Sequence, residues 1–374
     1  MSDSALAVPS AFRCSVCDGT EVARATERGD GARVLFCAGC GMGVVEHRPA
    51  TTAQFYTDDY YHRAEDSAHG YDDYEFTAEH GLLWTKLLIE ALAPAGGAVL
   101  DIGCATGFLL RRLEGGWRRC GIEANPTAAA IAAASGVEII GADLLVPGFA
   151  TAHEAAFDIV TSIATFEHVL DIKEAVAASL SVLAAAGVLI LEVPLISETR
   201  DNSNWYNGSY EHIFYPTVRG MQSLFAGFPD LNFQGFETAI AGFSSTYIGV
   251  ATRDPARFAV VQRLLAAMTA DEPEALSDQE VRLNLAYTVV HEFRPTPARV
   301  LRLPLLLERY FTPNLGKRLT QLWHEDAVRA SAADWNAGQA RHWRGAYEAL
   351  QADPLTLPAR AVRRLRRAFV KAGQ

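Results

Sequence analysis

The chain has 374 residues, of which 49% are hydrophobic and 21% charged, and a formal net charge of −11 at pH 7. This composition is ordinary for a soluble globular protein with room for two or three domains. Because proteins bind nucleic-acid phosphates through lysine and arginine, the acidic balance argues against nucleic acid as a main partner. The N-terminus lacks the basic start of a secretory signal, and the longest uncharged run, residues 175–191, is broken by Gly187. We therefore predict a cytoplasmic protein without a transmembrane segment.

Four of the six cysteines form two C-x2-C pairs near the N-terminus. Cys14 and Cys17 make the first pair and Cys37 and Cys40 the second, and the sequence between them predicts a short β-hairpin. Two such pairs about twenty residues apart are typical of a tetrahedral zinc site. The alternative, a redox dithiol, does not require two matched pairs. We predict a zinc ribbon over residues 1–50 in which the ion is structural, because four thiolates leave it no open position.

Residues 51–80 are predicted to be a lid and linker. Five tyrosines and seven acids lie within residues 55–76, with no clean helical or strand period. Aromatic hydroxyls and carboxylates together suit a wall around a hydroxylated or aromatic ligand. This composition favours a substrate lid over the alternative, an acidic surface loop held down by a few aromatic side chains.

The most informative stretch runs from Val99 to Gly107 and reads VLDIGCATG. Apolar residues lead to Asp101 and Gly103, and a helix-like sequence follows at once, which is typical of a buried strand that ends in a glycine turn. Glycine lets the backbone approach a ligand closely. The spacing D-x-G-x-x-x-G differs from the dinucleotide pattern G-x-G-x-x-G. A carboxylate inside the turn would attract an ammonium group and repel a pyrophosphate.

Further predicted strands follow this turn in order. The second ends at Glu123, 22 residues after Asp101, where a carboxylate can bind both hydroxyls of a ribose. The third ends at Asp143, the fourth begins the segment 157–168, and the fifth covers 187–194. Such a succession predicts a doubly wound α/β sheet whose ligand lies beyond the carboxyl ends of the strands.

These motifs resemble those of class I S-adenosylmethionine-dependent methyltransferases. The glycine turn resembles their motif I, and residues 157–168 resemble their F-D-x-V…L-E-H-V segment, with Phe166 where leucine is common. The resemblance implies a Rossmann-like domain over residues 81–253 with seven mostly parallel strands. It also implies that the acid at the end of the third strand faces the adenine amino group. The residues that it places against S-adenosylmethionine are Asp101, Gly103, Ala105, Gly107, Glu123, Asp143 and Ala164.

Methyl transfer often requires a base that removes a proton from the acceptor. Such a base belongs on the loops after the fourth and fifth strands, where two Glu-His pairs occur. The first pair ends in His168, and the second, Glu211 and His212, follows Tyr210. A neutral histidine can accept a proton near pH 7, and a neighbouring carboxylate or tyrosine can orient it. The alternatives are a buried histidine packed near the cofactor for His168 and a capping or packing role for His212.

A closer resemblance covers residues 14 to about 250. The cysteine ribbon, the methyltransferase motifs and the tyrosine-rich lid are together similar to bacterial methyltransferases of glycan and natural-product clusters. The segment Glu211-His212-x-x-Tyr215 resembles the Glu-His…Tyr segment of deoxysugar C-methyltransferases. This resemblance implies that His212 or Glu211 is the base, that Tyr210 assists, and that the acceptor is a sugar, nucleotide sugar or natural-product intermediate methylated on carbon or oxygen. The alternatives are a zinc-ribbon rRNA methyltransferase and a non-catalytic scaffold that binds the cofactor.

Residues 254–374 are predicted to be helical, and no motif in them carries chemistry. The resemblance does not extend into this region, which could cover the substrate pocket or form dimer contacts. Its basic tail, residues 358–371, could contact an anionic membrane surface weakly or an acidic patch of the same protein. The sequence leaves a monomer and a homodimer open.

Overall fold

The computed structural model describes residues 12–52, 55–56, 74–197, 209–239, 245–271, 275–291, 297–312 and 314–320. The chain divides into two compact units, residues 1–238 with 243–266 and residues 239–242 with 267–374. Most of the predicted lid, the predicted helix 333–352 and the basic tail lie outside the described residues.

The strands divide between two sheets. In chain order they are β1 Val22–Glu27, β2 Arg33–Cys37, β3 Gly43–Val45, β4 Gly97–Ile102, β5 Trp117–Ile122, β6 Glu138–Gly141, β7 Phe157–Ile163, β8 Leu183–Pro194, β9 Phe214–Tyr215, β10 Asn232–Thr238 and β11 Thr246–Thr252. A seven-stranded sheet has the order β10-β11-β8-β7-β4-β5-β6. Strands β4 to β8 in it are parallel, and β11 is antiparallel to both of its neighbours. The predicted Rossmann-like sheet of seven mostly parallel strands is confirmed.

The described helices lie before, between and after the strands of the seven-stranded sheet. In chain order they are α1 Tyr74–Gly81, α2 Leu83–Leu92, α3 Phe108–Arg111, α4 Pro126–Ala134, α5 Phe149–Ala152, α6 Ile172–Val182, α7 Val218–Ala226, α8 Pro255–Met268, α9 Asp278–His291, α10 Pro297–Tyr310 and α11 at residues 314–320. Side chains cap several of them: Asn125 accepts from the Ala128 amide, and Thr217 accepts from the Gly220 amide. Such caps satisfy backbone donors that the first helical turn leaves unpaired.

The core of the first unit lies between the parallel strands and the helices of the same unit. Ile159 and Val160 of β7, and Leu189 and Ile190 of β8, are completely buried although neighbouring residues of a strand face opposite sides of the sheet. Burial on both faces explains why these strands appear in the sequence as continuous apolar runs. The carboxyl ends of β4, β5 and β7 therefore meet at one edge, from which the loops of the site emerge.

The second sheet joins the N-terminal ribbon to a distant part of the chain. The predicted hairpin is present as β1 and β2, and the sheet continues through β3 to β9. Gly43 pairs with Tyr215 and Val44 with Phe214. No local pattern indicates this pairing, because β9 has only two residues and lies about 170 positions further along the chain.

Two element boundaries differ from the sequence prediction. Residues 51–80 are predicted to be a lid and linker, but α1 occupies Tyr74–Gly81, and a break at Leu82, which takes φ −96° and ψ 2°, separates it from α2. Gly81, with its low helix propensity, lies at the break. Strand β8 begins at Leu183 rather than at residue 187, and its register against β7 shifts between Phe157 and Ile159.

The second unit is helical in its described part, as the sequence predicted. Asn284 of α9 is buried, and its amide group donates to the carbonyl oxygens of Ala267, Met268 and Ala270. These bonds satisfy the carbonyls at the end of α8. Across the described parts of the chain, every helix is too short or too polar to cross a membrane.

Candidate active site

The glycine turn after β4 is held in a left-handed backbone conformation. Gly103, Ala105 and Gly107 have φ of +76°, +49° and +74°. A Cβ on Gly103 would collide with the side chain of Thr165, and one on Gly107 would lie 2.9 Å from a methyl carbon of Val137. Glycine is therefore required at both positions by backbone angle and by packing, in addition to any ligand. Ala105 adopts its positive φ at the cost of some strain.

Two buried carboxylates flank this turn. Asp101 is 5% exposed, and its Oδ1 accepts a 2.6 Å hydrogen bond from the Thr161 hydroxyl. Burial raises the pKa of Asp101 to about 7, against the lowering effect of the Thr161 bond, and the negative charge of Glu123 raises it further. Glu123 is 4% exposed and accepts hydrogen bonds from the backbone amides of Ala105, at 2.8 Å, and Asn125, at 2.7 Å. A cation bound here would favour the ionised form of both acids.

The two remaining predicted cofactor residues lie at the same edge of the sheet. Asp143 follows β6, is exposed, and accepts a 2.8 Å hydrogen bond from the backbone amide of Leu145. Ala164 follows β7 with φ +50°, and its amide donates to the carbonyl of Glu192 at 2.8 Å. The carboxylate of Asp143 thus belongs to its own turn and stands apart from the buried acid pair.

The two predicted histidines are brought together although 44 residues separate them. His168 ends a short 3-10 turn after β7, and His212 lies in the turn before β9. Their ring centroids are 4.6 Å apart at an interplanar angle of 89°, and the residues are 5% and 6% exposed. Oε1 of Glu167 lies 3.4 Å from Nε2 of His168. A carboxylate oxygen of Glu167 and one ring nitrogen from each of His168 and His212 all lie within 4.8 Å of one another.

The surroundings shift the two histidines in opposite directions. Burial lowers the pKa of His168, but the charge and hydrogen bond of Glu167, aided by Glu211, outweigh it, so the pKa is raised above 6.5. Burial lowers the pKa of His212 well below 6.5, and the positive charges of His168 and Arg28 act in the same direction. The surroundings therefore favour the protonated form of His168 and the neutral form of His212.

A chain of contacts joins this histidine pair to the glycine turn. Thr165, which packs on Gly103, accepts a backbone hydrogen bond from His168 at 3.0 Å. The ring of Tyr56 lies 6.0 Å from that of His168, and its carbonyl accepts a 3.0 Å hydrogen bond from the side chain of Asn125. The histidine pair and the two acids therefore belong to one site.

The other predicted catalytic residues lie in the same turn as His212. Tyr210 is half-buried, and the guanidinium carbon of Arg28 lies 5.6 Å from its ring centroid. Glu211 is 7% exposed. The sequence did not single out Arg28, because nothing local to it indicates a contact with a loop 184 residues away. Glu167 belongs to the first of the two predicted Glu-His pairs, and its carboxylate lies against His168.

The four ribbon cysteines converge as the sequence predicted. Sγ of Cys14 lies 3.5 Å from that of Cys40, Sγ of Cys17 lies 3.5 Å from that of Cys37, and all four lie within 4.8 Å. A Cβ on Gly19 would lie 3.2 Å from Sγ of Cys37 and 3.3 Å from Sγ of Cys17. Because Zn–S bonds of about 2.3 Å place tetrahedral ligands about 3.8 Å apart, this cluster fits a zinc ion.

The sheet order and the acid-flanked glycine turn define the class I methyltransferase fold. Residues 77–228 match the family model described as a methyltransferase domain. Residues 77–228 therefore form an S-adenosylmethionine-dependent methyltransferase domain, which the chain carries between the cysteine ribbon and the C-terminal helices.

Several solved structures are similar to the chain at low identity. One is a possible histamine N-methyltransferase from Thermotoga maritima, at 17% identity over 48% of this chain and 94% of that chain, with a TM-score of 0.37. Another is the YcgJ protein from Bacillus subtilis, at 15% identity over 47% and 100% of the two chains, with a TM-score of 0.39. A third is the CurJ carbon methyltransferase, at 14% identity over 44% and 50%, with a TM-score of 0.35. No curated protein matches the chain.

Proposed function

We propose that the protein transfers a methyl group from S-adenosylmethionine to carbon or oxygen of a small-molecule acceptor, with His212 as the base. The observation that carries the proposal is the contact of two buried histidines with opposite pKa shifts, 4.6 Å apart. Opposed shifts in a neighbouring pair are the usual sign of divided acid and base roles. His212, whose pKa lies well below 6.5, accepts the acceptor proton, and the ion pair of His168 and Glu167 fixes the neighbouring imidazole.

The cofactor supplies an electrophilic methyl group on a sulfonium cation. Asp101 and Glu123 provide the negative charge that such a cation, its ammonium group and its ribose hydroxyls require. The burial of Asp101 raises its pKa to about 7, and a bound cation offsets this penalty. In this proposal Gly103, Ala105 and Gly107 form the turn around the methionine end, with Ala164 beside it, and Asp143 binds the adenine amino group.

For the acceptor we propose a sugar, nucleotide sugar or related natural-product intermediate. Support comes from the residues around His212, where Tyr210 and Glu211 offer a hydroxyl and a carboxylate to acceptor hydroxyl groups. The Glu-His…Tyr resemblance of residues 211–215 and the tyrosine-rich composition of the lid point the same way. A sugar acceptor has weakly acidic protons, so its methylation needs a base at the reacting atom.

We also propose a structural zinc ion at Cys14, Cys17, Cys37 and Cys40. The convergence of the four sulfur atoms supports it. Four thiolates complete a tetrahedral site, so the ion would stabilise the ribbon and take no part in the reaction.

The test is an assay of S-adenosylhomocysteine release with a panel of nucleotide sugars. His212→Ala is expected to lower turnover at least about 100-fold while S-adenosylhomocysteine binding is kept. His153→Ala is the matched control, because that histidine packs on Phe149 away from the site. Turnover by His212→Ala close to that of the unmodified protein would move the base elsewhere. Methylation of ribosomal RNA alone, or cofactor binding without turnover on the panel or on RNA, would contradict the proposed acceptor class.

A further inference from the structure

Arg28 is a buried arginine of the ribbon whose side chain points out of the ribbon. It follows β1, and its backbone closes the hairpin turn with Gly31 and Ala32. Its side chain is only 6% exposed, although a guanidinium group is always charged. Nε and Nη2 contact the two carboxylate oxygens of Asp30 at 3.0 and 2.6 Å. This two-point ion pair fixes the plane of the guanidinium and partly balances its charge.

The third guanidinium nitrogen reaches the turn that carries His212. Nη1 of Arg28 donates to the backbone carbonyl of His212 at 3.1 Å and to the hydroxyl of Tyr215 at 2.9 Å. The Tyr215 hydroxyl in turn donates to the carbonyl of Ser209 at 3.4 Å. One guanidinium group therefore braces both ends of the turn 209–215.

The ribbon holds the same turn by its backbone. The amide of Val45 donates to the carbonyl of Ile213 at 2.9 Å, and the amide of Ile213 donates to the carbonyl of Glu167 at 2.9 Å. The residue next to His212 is thus bonded on one side to the ribbon and on the other to the loop of His168. These two backbone hydrogen bonds hold the turn of His212 against the loop of His168, and the distance between the two imidazole rings depends on them.

We propose that Arg28 is a positioning residue for His212, through which the N-terminal ribbon forms one wall of the acceptor site. This inference rests on the proposed role of His212 as base. The ribbon then has a catalytic purpose besides binding metal: it holds the turn of Tyr210, Glu211 and His212 against the loop of His168. Because catalytic groups must be fixed to within about 0.5 Å, loss of the brace would lower turnover before it lowered stability.

The charge of Arg28 also acts on the imidazole of His212. Its positive charge lowers the pKa of His212, after burial and the neighbouring His168. Among the described residues, the charged and titratable groups that contact His212 or act on it are Glu167, His168, Arg28 and Tyr215, and Asp30 pairs with Arg28. Removing the charge of Arg28 should raise the pKa of His212, whereas replacing it with another cation should not.

Two substitutions separate geometry from charge. Arg28→Lys keeps the positive charge but loses the planar guanidinium group that makes these contacts. Arg28→Met keeps a long side chain but loses both the charge and the guanidinium group. The matched control is Arg13→Met, because Arg13 makes the same two-nitrogen contact with Asp18, at 3.0 and 2.9 Å, on the exposed surface of the ribbon. All variants are studied as the full chain saturated with S-adenosylhomocysteine, and thermal midpoints are recorded for each.

Amide hydrogen exchange and histidine NMR provide readouts that need no acceptor. Both Arg28 variants are expected to exchange residues 209–215 about tenfold faster, with residues 33–45 unchanged. In ¹⁵N-histidine-labelled protein, the His212 signal, assigned by its loss in His212→Ala, should titrate at higher pH in Arg28→Met and at the original pH in Arg28→Lys. Arg13→Met should change neither property.

Either of two results would overturn the inference: unchanged exchange and titration in both Arg28 variants, or an equal rise of exchange throughout the ribbon, which would make Arg28 a folding residue only. Turnover distinguishes this inference from the proposed function. If His212→Ala loses turnover and Arg28→Lys does not, the role of His212 as base is supported and the positioning role of Arg28 is contradicted. If His212→Ala keeps turnover, the base fails, and the exchange data alone decide whether Arg28 holds the turn.

Discussion

The imidazole rings of His168 and His212 meet edge to face, with their centroids 4.6 Å apart, at an interplanar angle of 89°. Two protonated imidazoles at this separation would repel each other strongly in a buried site. Glu167 resolves the conflict by stabilising the proton on His168, and His212 remains neutral. The two imidazoles therefore titrate as a coupled pair in which His168 takes up the first proton.

Turnover should follow a bell-shaped pH profile set by this pair. His212 must be neutral, so activity falls below its pKa, which lies well under 6.5. His168 must be protonated, so activity falls again above its pKa, which is raised. The kcat profile of His168→Gln should lose its alkaline limb and keep the acidic one. An alkaline limb that persists in this variant would assign it to another group.

Glu167→Gln should destabilise the protein by about 3–5 kcal/mol below pH 6, because it leaves the proton of His168 without its partner. The raised pKa of His168 makes this contribution fully present below pH 6.5 and lost as pH rises through the folded-state value. Urea unfolding at several pH values measures it, and the gap between the two proteins should narrow toward pH 9. A gap independent of pH would show that the pair is not ionic.

Asp101→Asn should abolish the thermal stabilisation given by S-adenosylhomocysteine. Removing the charge removes the partner of the cofactor's ammonium group, and we expect affinity to fall at least about 100-fold. The pKa of Asp101, raised to about 7, lies above its value in the unfolded chain, so ionisation destabilises the fold as pH rises through 7. The ligand-free variant should therefore melt a few degrees higher than the unmodified protein at pH 8. Unchanged ligand stabilisation would show that Asp101 does not hold the cofactor.

Removing zinc should loosen the ribbon and, with it, the turn of His212. Metal analysis should find one zinc per chain, and Cys37→Ser should lower both zinc content and thermal midpoint. Cys120→Ala is the control, because that buried cysteine belongs to β5 and is not among the four convergent thiols. A second equivalent of metal that disappears in Glu167→Gln would place a metal ion where we assign a proton.

Gly103→Ala should be destabilising whether or not cofactor is present. The backbone φ of +76° and the contact of a Cβ with the Thr165 side chain both oppose it, at a cost of about 1–3 kcal/mol. Gly115→Ala is the control: its φ is +99°, but a Cβ there meets open space. A difference between the two variants in thermal midpoint isolates the contact with Thr165.

The elements that we propose to position the cofactor could be predicted from the sequence because their signals are local. Strand β4, the turn to Gly107 and the acid at Glu123 are each specified by neighbouring residues, since a buried strand is apolar and a left-handed turn needs glycine. The cluster of four cysteines could also be predicted, because metal ligands within a ribbon come in closely spaced pairs.

The acceptor side of the site depends on contacts between distant residues. Two Glu-His pairs could be found in the sequence, but the contact between His168 and His212 could not. Nor could the sequence show that the charge of Glu167 raises the pKa of His168 while burial lowers that of His212. No local pattern indicated a role for Arg28, because its partner His212 lies 184 residues away. Local pattern determined the fold, the cofactor turn and the cysteine site. Tertiary packing decided which histidine keeps its proton and which part of the chain holds the other in place, because burial and charge proximity arise only when distant segments pack together.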